Sequence, residues 1–284
     1  MISEIEVYRM SGAGNLFSVI DNSKYNFNDI ELFEIAVMLC SVNQRNDFMA
    51  EGLLAINESI INDFDVKYLN PDGSTGMMCG NGGRCAVDFA VSKLLNINKK
   101  SPVRFSMAGN VYTGELVSEG IRLTLPSPTK IIRDKSIKIG VANIKGTYVD
   151  VSSDHFVINF SDLSAIISSF DVTEIEEFAP NVRFHRDFGL AGVNVNIYKK
   201  AGDVVHLKTF ERGVEKVTGA CGTGAISTAV HLFNEDSAKF PLMIMPPSSI
   251  PVFVDFDTDY NGRIKKIYLS GHSEIIRKDI VKIK

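Results

Sequence analysis

Short runs that alternate apolar and polar positions recur along the chain: Ile121 to Leu125, Phe156 to Phe160, Val193 to Tyr198, Val252 to Phe256 and Ile267 to Leu269. A period of two is the mark of strands with one buried face. Helical spacing is rarer. Ile30, Phe33 and Val37 repeat at that spacing between Asp29 and Leu39, with Asn28 or Asp29 as cap, and predict one amphipathic helix. Many strands and few helices point to an α+β or mixed α/β protein.

An internal repeat sharpens this picture. Met78-Cys79-Gly80-Asn81-Gly82 returns in form as Ala220-Cys221-Gly222-Thr223-Gly224, 142 positions later and half the chain length away. Apolar residues follow each copy at helical spacing: Ala86, Phe89, Ala90 and Leu94 after the first, Ile226, Ala229, Val230 and Phe233 after the second. Each set predicts one stripe of an amphipathic helix. The chain therefore reads as two similar domains, each with a cysteine at the glycine-rich entrance of a buried helix.

A helix N-terminus carries amides without intrahelical acceptors and the positive end of the macrodipole. A cysteine there can hold its thiolate more easily than a free thiol, whose pKa is about 8.5. The glycines let a carboxylate or phosphate approach the backbone. If the two domains face each other, a small carboxylate is held between two thiols and two positive dipoles. That arrangement suits removal of an α-proton from one face of an amino acid and its return to the other, which needs one group deprotonated and one protonated. The dipoles then help carry the charge that develops on the carboxylate.

Composition removes other classes. The chain has 284 residues, 45% hydrophobic and 23% charged, as in a globular protein, with room for one large domain or two ordinary ones. Thirty basic residues against 34 acidic ones give a net charge of −4, which offers no footprint for nucleic acid or an anionic membrane. No apolar run approaches the roughly 20 residues of a membrane span. The first residues include Glu4 and Glu6 and lack a basic then apolar export pattern, so a cytoplasmic protein is expected. Four cysteines are too few for a disulfide scaffold. Cys40 and Cys85 are expected to be core packing. The five histidines are scattered and no Cys-x-x-Cys or His-x-x-x-His spacing occurs, so no metal site is expected.

Several motifs then converge. Ser11-Gly12-Ala13-Gly14-Asn15-Leu16-Phe17, Tyr68-Leu69-Asn70-Pro71-Asp72-Gly73-Ser74 and Met78-Cys79-Gly80-Asn81-Gly82-Gly83-Arg84-Cys85 stand in the first half. Asp154-His155, Gly192-Val193-Asn194-Val195, Thr209-Phe210-Glu211-Arg212-Gly213 and Thr218-Gly219-Ala220-Cys221-Gly222-Thr223-Gly224 stand in the second. In this order and nearly end to end, they resemble the diaminopimelate epimerase family of lysine and peptidoglycan biosynthesis. The resemblance implies an α+β fold of two pseudo-symmetric domains, each a curved sheet or barrel around a central helix. It implies an N-terminal domain over 1–124, to which a tail over 272–284 returns, and a C-terminal domain over 125–271. Cys79 and Cys221 would be the acid and base thiols, tuned by His155 and Glu211. Asn15, Gly52, Asn70, Asn194 and Arg212 would fix the substrate, Arg212 on its distal carboxylate and Glu211 on an amine. Gly80, Asn81, Gly222 and Thr223 would hold the carboxylate beside the reacting carbon. No cofactor is implied, the partner is a small amino acid, and the assembly is a homodimer.

The sequence departs from the family pattern at Ser11 and Leu16, through Asp47-Phe48-Met49-Ala50-Glu51-Gly52, at Ser153-Asp154-His155 and at Glu215-Lys216-Val217-Thr218. The expected reaction is inversion of L,L-diaminopimelate to the meso form by two thiols. The alternatives are racemisation of another amino acid without pyridoxal phosphate, an isomerase of the wider family acting on an unsaturated acid, and a non-catalytic binder of a zwitterion.

Overall fold

The computed structural model describes residues 3–40, 47–94, 97 and 102–283. The chain forms two compact units, Met1–Thr124 with Ser270–Lys284 and Leu125–Leu269. The first holds β1 (Glu4–Gly12), β2 (Asn15–Asp21), α1 (Asp29–Cys40), β3 (Gly52–Asn57), β4 (Phe64–Leu69), α2 (Gly80–Lys93), β5 (Val103–Met107), β6 (Asn110–Val117) and most of β7 (Gly120–Pro126). The second holds β8 (Lys130–Ile139), β9 (Ala142–Asp150), β10 (Asp154–Asn159), α3 (Val172–Arg183), β11 (Asn194–Ala201), β12 (Val204–Phe210), α4 (Gly222–Asn234), β13 (Leu242–Met245), β14 (Val252–Thr258) and most of β15 (Ile264–Gly271). Strand β16 (Ser273–Lys282) belongs to the first unit.

Strand order in the first unit is β16-β1-β2-β3-β4-β5-β6-β7, and in the second β8-β9-β10-β11-β12-β13-β14-β15. The two sequences of pairings match. A first helix links a parallel pair, β2 with β3 by α1 and β10 with β11 by α3. A second helix links another, β4 with β5 by α2 and β12 with β13 by α4. The remaining pairs from β16 to β7 and from β8 to β14 are antiparallel, including β1 with β16, which takes the place that β8 holds beside β9. The first unit is thus the second one cut at its leading strand, with that strand supplied from the C-terminus.

Helix α1 starts with a capping box. The Asn28 carboxamide accepts from the amides of Ile30 and Glu31 at 2.9 and 3.1 Å, and the Glu31 carboxylate accepts from the Asn28 amide at 2.8 Å. Its buried side is Leu32, Ile35, Ala36, Leu39 and Cys40, packed with Ile20, Leu53, Ala55 and Leu69. Ile30, Phe33 and Val37, the stripe that predicts the helix, face outward at 73%, 48% and 40% exposure. Both faces of α1 carry apolar residues at helical spacing, so periodicity places the helix but does not choose which face meets the sheet.

Helices α2 and α4 are not amphipathic. Buried residues include Asn81, Arg84 and Cys85 in α2, and Ser227, Thr228 and His231 in α4, beside the apolar positions. The cause is their position: α2 packs against β16, β1, β2, β3, β4 and β6, and α4 against β9, β10, β11 and β14. A helix surrounded by sheet has no solvent side to keep polar. The strands alternate accordingly. In β11, Val195 and Ile197 join the core with α3, while Asn196 and Tyr198 point to α4, donating to Gly224 O and lying 3.0 Å from His231 Nε2.

Candidate active site

Cys79 and Cys221 are the N-cap residues of α2 and α4. Their backbone angles nearly coincide, φ −118° and ψ 114° against φ −115° and ψ 112°. Each sulfur accepts from the amide three residues on, Gly82 N at 3.4 Å and Gly224 N at 3.3 Å. Sulfur here takes the place of the usual capping oxygen. None of the four cysteines is in a disulfide; Cys79 and Cys221 are partly exposed, whereas Cys40 and Cys85 are buried. Burial pushes the thiols of Cys40 and Cys85 up to about 12. Gly80 and Asn81, like Gly222 and Thr223, occupy the first helical positions, whose amides have no acceptor inside a helix.

Around Cys79, strand register gathers the other candidates of the first unit. Phe17 pairs with Gly52 and Leu53 with Leu69, so Asn15, Gly52 and Asn70 share one end of three adjacent strands. Asn15 is buried. The Asn70 carboxamide donates to Ser74 Oγ at 3.0 Å and braces the loop leading to α2. Gly52 has no room for a side chain: a Cβ there would lie 2.2 Å from Tyr68 Cε2 and 2.6 Å from Leu69 O. Asn81 accepts from Arg84 Nη2 at 2.6 Å. Arg84 is fully buried, its Nε and Nη1 make no hydrogen bond, and burial lowers its guanidinium to about 10.

The second unit repeats the plan at the same end of β10, β11 and β12. His155 pairs with Asn194, and Val195 with Phe210. His155 is fully buried, with Nδ1 3.2 Å from Asn196 Oδ1 and Nε2 3.0 Å from Thr223 Oγ1 and 2.9 Å from Ser153 Oγ. The Asn196 amide nitrogen donates to Gly224 O at 3.0 Å, which leaves its oxygen to accept from His155. The imidazole proton is therefore assigned to Nδ1, and Nε2 accepts. Burial lowers His155 to about 4, which keeps the ring neutral. Thr223 Oγ1 also lies 3.5 Å from the Cys221 sulfur, so a hydroxyl that donates to His155 can accept from the thiol. The Glu211 carboxylate accepts from Thr218 Oγ1 and hydrogen-bonds Cys221, and burial raises its pKa.

Asn194 serves the backbone on both sides of its amide. Its nitrogen donates to Asp154 O at 2.8 Å and its oxygen accepts from Arg212 N at 2.8 Å. Arg212 Nη1 then reaches Asp154 Oδ2 at 3.2 Å and Gly192 O at 3.4 Å. His155, Asn194, Glu211, Arg212, Cys221, Gly222 and Thr223 thus form one connected set. Sequence reasoning missed the partners that tie it together: Asn196, Thr218 and Tyr148, whose hydroxyl donates to Asp154 Oδ1. Asn196 carries the clearest signal, since it lies two residues after Asn194 on the same face of β11. Of the departures, Ser11 Oγ accepts from Gly14 N at 3.2 Å and braces a turn. Leu16 packs with the α1 core, on the sheet face opposite its neighbour Asn15. Among the described residues, no group of three or more His, Cys, Asp or Glu side chains is placed to hold a metal ion, and no helix is long and apolar enough to cross a membrane.

Comparison with known proteins gives a consistent answer. The sequence profile of the family diaminopimelate epimerase matches residues 7–125. The diaminopimelate epimerase of Chlorobaculum tepidum is 32% identical over 275 residues, covering 96% of this chain and 99% of its own. That of Aquifex aeolicus is 29% identical over 279 residues, 94% of each chain. Among solved structures, a phenazine biosynthesis protein of the PhzF family from Bacillus anthracis has a TM-score of 0.73 at 12% identity, over 99% of this chain and 100% of that one. A hydroxyproline epimerase from Agrobacterium vitis has a TM-score of 0.69 at 13% identity, over 100% of this chain and 92% of that one. At such identities the structural likeness speaks to the fold, which is the two-unit α+β architecture that the sequence predicts.

Proposed function

This chain belongs to the diaminopimelate epimerase family, and from that premise we propose that it inverts one α-carbon of L,L-diaminopimelate, giving the meso form, with Cys79 and Cys221 as the two proton-transfer groups. It is an isomerase of the epimerase and racemase class. The observation that carries the reading is the match between the two thiols. Each is a helix N-cap, each accepts from the amide three residues on, and each stays partly exposed.

The reaction needs one thiolate and one thiol. The thiolate takes the α-proton and becomes a thiol. The electron pair left on the carbon delocalises into the α-carboxylate, and the second thiol donates its proton to the opposite face, becoming a thiolate. Atoms and charge balance, and product leaves an enzyme with the two roles exchanged. The amides at Gly80-Asn81 in one unit and at Gly222-Thr223 in the other each open a helix, whose positive end stabilises negative charge on a carboxylate bound beside it. On the Cys221 side, Thr223 links the thiol to a neutral His155, and the buried Glu211 carboxylate interacts with the same thiol. Arg212 offers a planar fork for the carboxylate of the distal head.

Incubation with L,L-diaminopimelate in deuterated water tests this directly. Deuterium is expected at the α-carbon, with conversion to the meso isomer, and Cys79→Ala or Cys221→Ala should abolish conversion. Wild-type inversion by Cys221→Ala would defeat the two-thiol mechanism. Absence of exchange on diaminopimelate, with exchange on another amino acid, would defeat the substrate and keep the mechanism.

A further inference from the structure

Asp154 lies within one of the stretches where the sequence departs from the family pattern, and the structure gives that aspartate an occupation. Asp154 Oδ2 accepts from Arg212 Nη1 at 3.2 Å, and Asp154 Oδ1 accepts from the Tyr148 hydroxyl. Gly192 O holds the same Nη1 from another side at 3.4 Å, and Asn194 Oδ1 holds the Arg212 amide at 2.8 Å. The guanidinium is therefore fixed by one nitrogen and by its own backbone. Its Nε and Nη2, the pair whose spacing matches the two oxygens of a carboxylate, make no hydrogen bond among the described residues. Arg212 and Asp154 remain partly exposed, at 25% and 34% of their side chains. A ligand thus meets an open cationic edge with a carboxylate fixed beside it. Each Asp154 oxygen receives one protein donor and keeps a further lone pair for another.

A carboxylate ligand alone is drawn to Arg212 and repelled by Asp154. An ammonium alone meets the reverse. A head that carries both groups on one carbon satisfies both residues at once. We propose that Asp154 is a specificity-determining residue: with Arg212 it forms a charge pair that selects a substrate whose second head is a zwitterion, ammonium and carboxylate together, over one ending in a carboxylate only. The inference rests on the reading of Arg212 as the residue that meets the distal head.

The experiment compares two seven-carbon substrates, L,L-diaminopimelate and L-2-aminopimelate, which differ only in the distal ammonium. Rates of α-deuteration in deuterated water give kcat/KM for each. Wild-type enzyme should favour diaminopimelate. Asp154→Asn keeps the shape and removes the charge, and should shrink that preference by roughly ten- to a hundredfold, the range for a hydrogen bond to a charged group. The change should appear in KM for diaminopimelate more than in kcat. Tyr148→Phe, which leaves the Asp154 charge in place, should keep the preference. A merely structural role for Asp154 predicts equal losses on both substrates, and that result overturns the proposal. So does a Tyr148→Phe variant that loses the preference as fully as Asp154→Asn. If Asp154→Asn does not fold, as judged by its melting curve, Asp154→Ser carries the same comparison. Failure of the wild type to exchange either compound removes the diaminopimelate reading and this proposal with it. An unchanged ratio in a folded Asp154→Asn removes this proposal alone.

Discussion

His155 Nδ1 lies 3.2 Å from Asn196 Oδ1, and this one contact decides which form of the histidine the second unit holds. The carboxamide is itself oriented by Gly224 O, the carbonyl of the residue whose amide caps the Cys221 sulfur. Strand β11, helix α4 and the thiol are therefore linked through a ring that must stay neutral to fit. A protonated His155 would present a donor at Nε2 as well, against hydroxyls that now donate to it.

The linkage to pH follows from burial. His155 and His231 are each lowered from 6.5 to about 4, burial being the main cause for both. Below the unfolded value of 6.5 the unfolded chain takes up protons that the folded one refuses, so stability falls with pH from there until the folded value near 4 is passed. A lowering of this size corresponds to about 3 kcal/mol for one fully buried ring. Denaturant unfolding at pH 7 and pH 5 should show the loss, and His155→Asn should reduce its slope while leaving the share of His231. An unchanged slope in a folded His155→Asn would mean that the ring does not titrate as its burial demands.

The repeat of Cys-Gly-x-Gly was legible because glycine spacing and helical periodicity are local, and both helix entrances fall where they predict. The strands at Ile121 to Leu125, Val252 to Phe256 and Ile267 to Leu269 were legible because their burial alternates, whereas β10 and β11 are buried on both faces and show as apolar runs. What lay beyond the sequence depended on contacts distant in the chain. Ile30, Phe33 and Val37 predict α1 but not its orientation, since Leu32, Ile35, Ala36 and Leu39 have equal claim to the core. Nothing in the spacing shows that α2 is surrounded, and that Arg84 and Asn81 are interior residues for that reason. Asp154 reads as a mere departure until Arg212, 58 positions on, is found beside it.

Thiol reactivity should divide the cysteines in two. Cys40 and Cys85 are buried and their thiols are pushed up to about 12, so they present little thiolate at neutral pH and no access. Cys79 and Cys221 are partly exposed at helix starts. Brief treatment of the reduced native protein with iodoacetamide at pH 7.5 should therefore add two groups, and mass spectrometry of peptides should find them on Cys79 and Cys221. Denaturation before treatment should raise the count to four. Early labelling of Cys85 in the native protein would contradict the packing of α2.

Gly224 is fixed by the space around it. A Cβ there would stand 2.6 Å from Thr209 Oγ1 and 3.1 Å from Asn196 Oδ1, both buried. The Thr209 hydroxyl has no hydrogen-bond partner and its residue is buried, so a methyl group added at Gly224 competes with it for space in a packed interior. Gly224→Ala should cost about 1–3 kcal/mol, the usual range for overpacking, and shift the amide that caps the Cys221 sulfur. A drop of several degrees in melting temperature, with slower alkylation of Cys221, is the expected pair of results. A variant with the wild-type melting temperature would show that this helix start has slack.

Arg84 sets stability against activity. Its guanidinium is wholly buried, one nitrogen donates to Asn81 Oδ1 at 2.6 Å, and two others have no acceptor. A buried cation so poorly matched is costly, and replacing such groups with apolar ones of similar volume often stabilises by about 1–4 kcal/mol. The charge nevertheless interacts with the sulfurs of Cys79 and Cys85. A fixed positive charge near Cys79 favours its thiolate, the form that removes the α-proton. Arg84→Met should therefore raise the melting temperature and lower kcat about tenfold or more, the two effects in opposite directions. A loss of both stability and activity would identify Arg84 as a packing residue whose hydrogen bond to Asn81 holds the helix entrance in shape. Full activity in a more stable variant would show that the amides and dipole of α2 sustain the Cys79 thiolate without it.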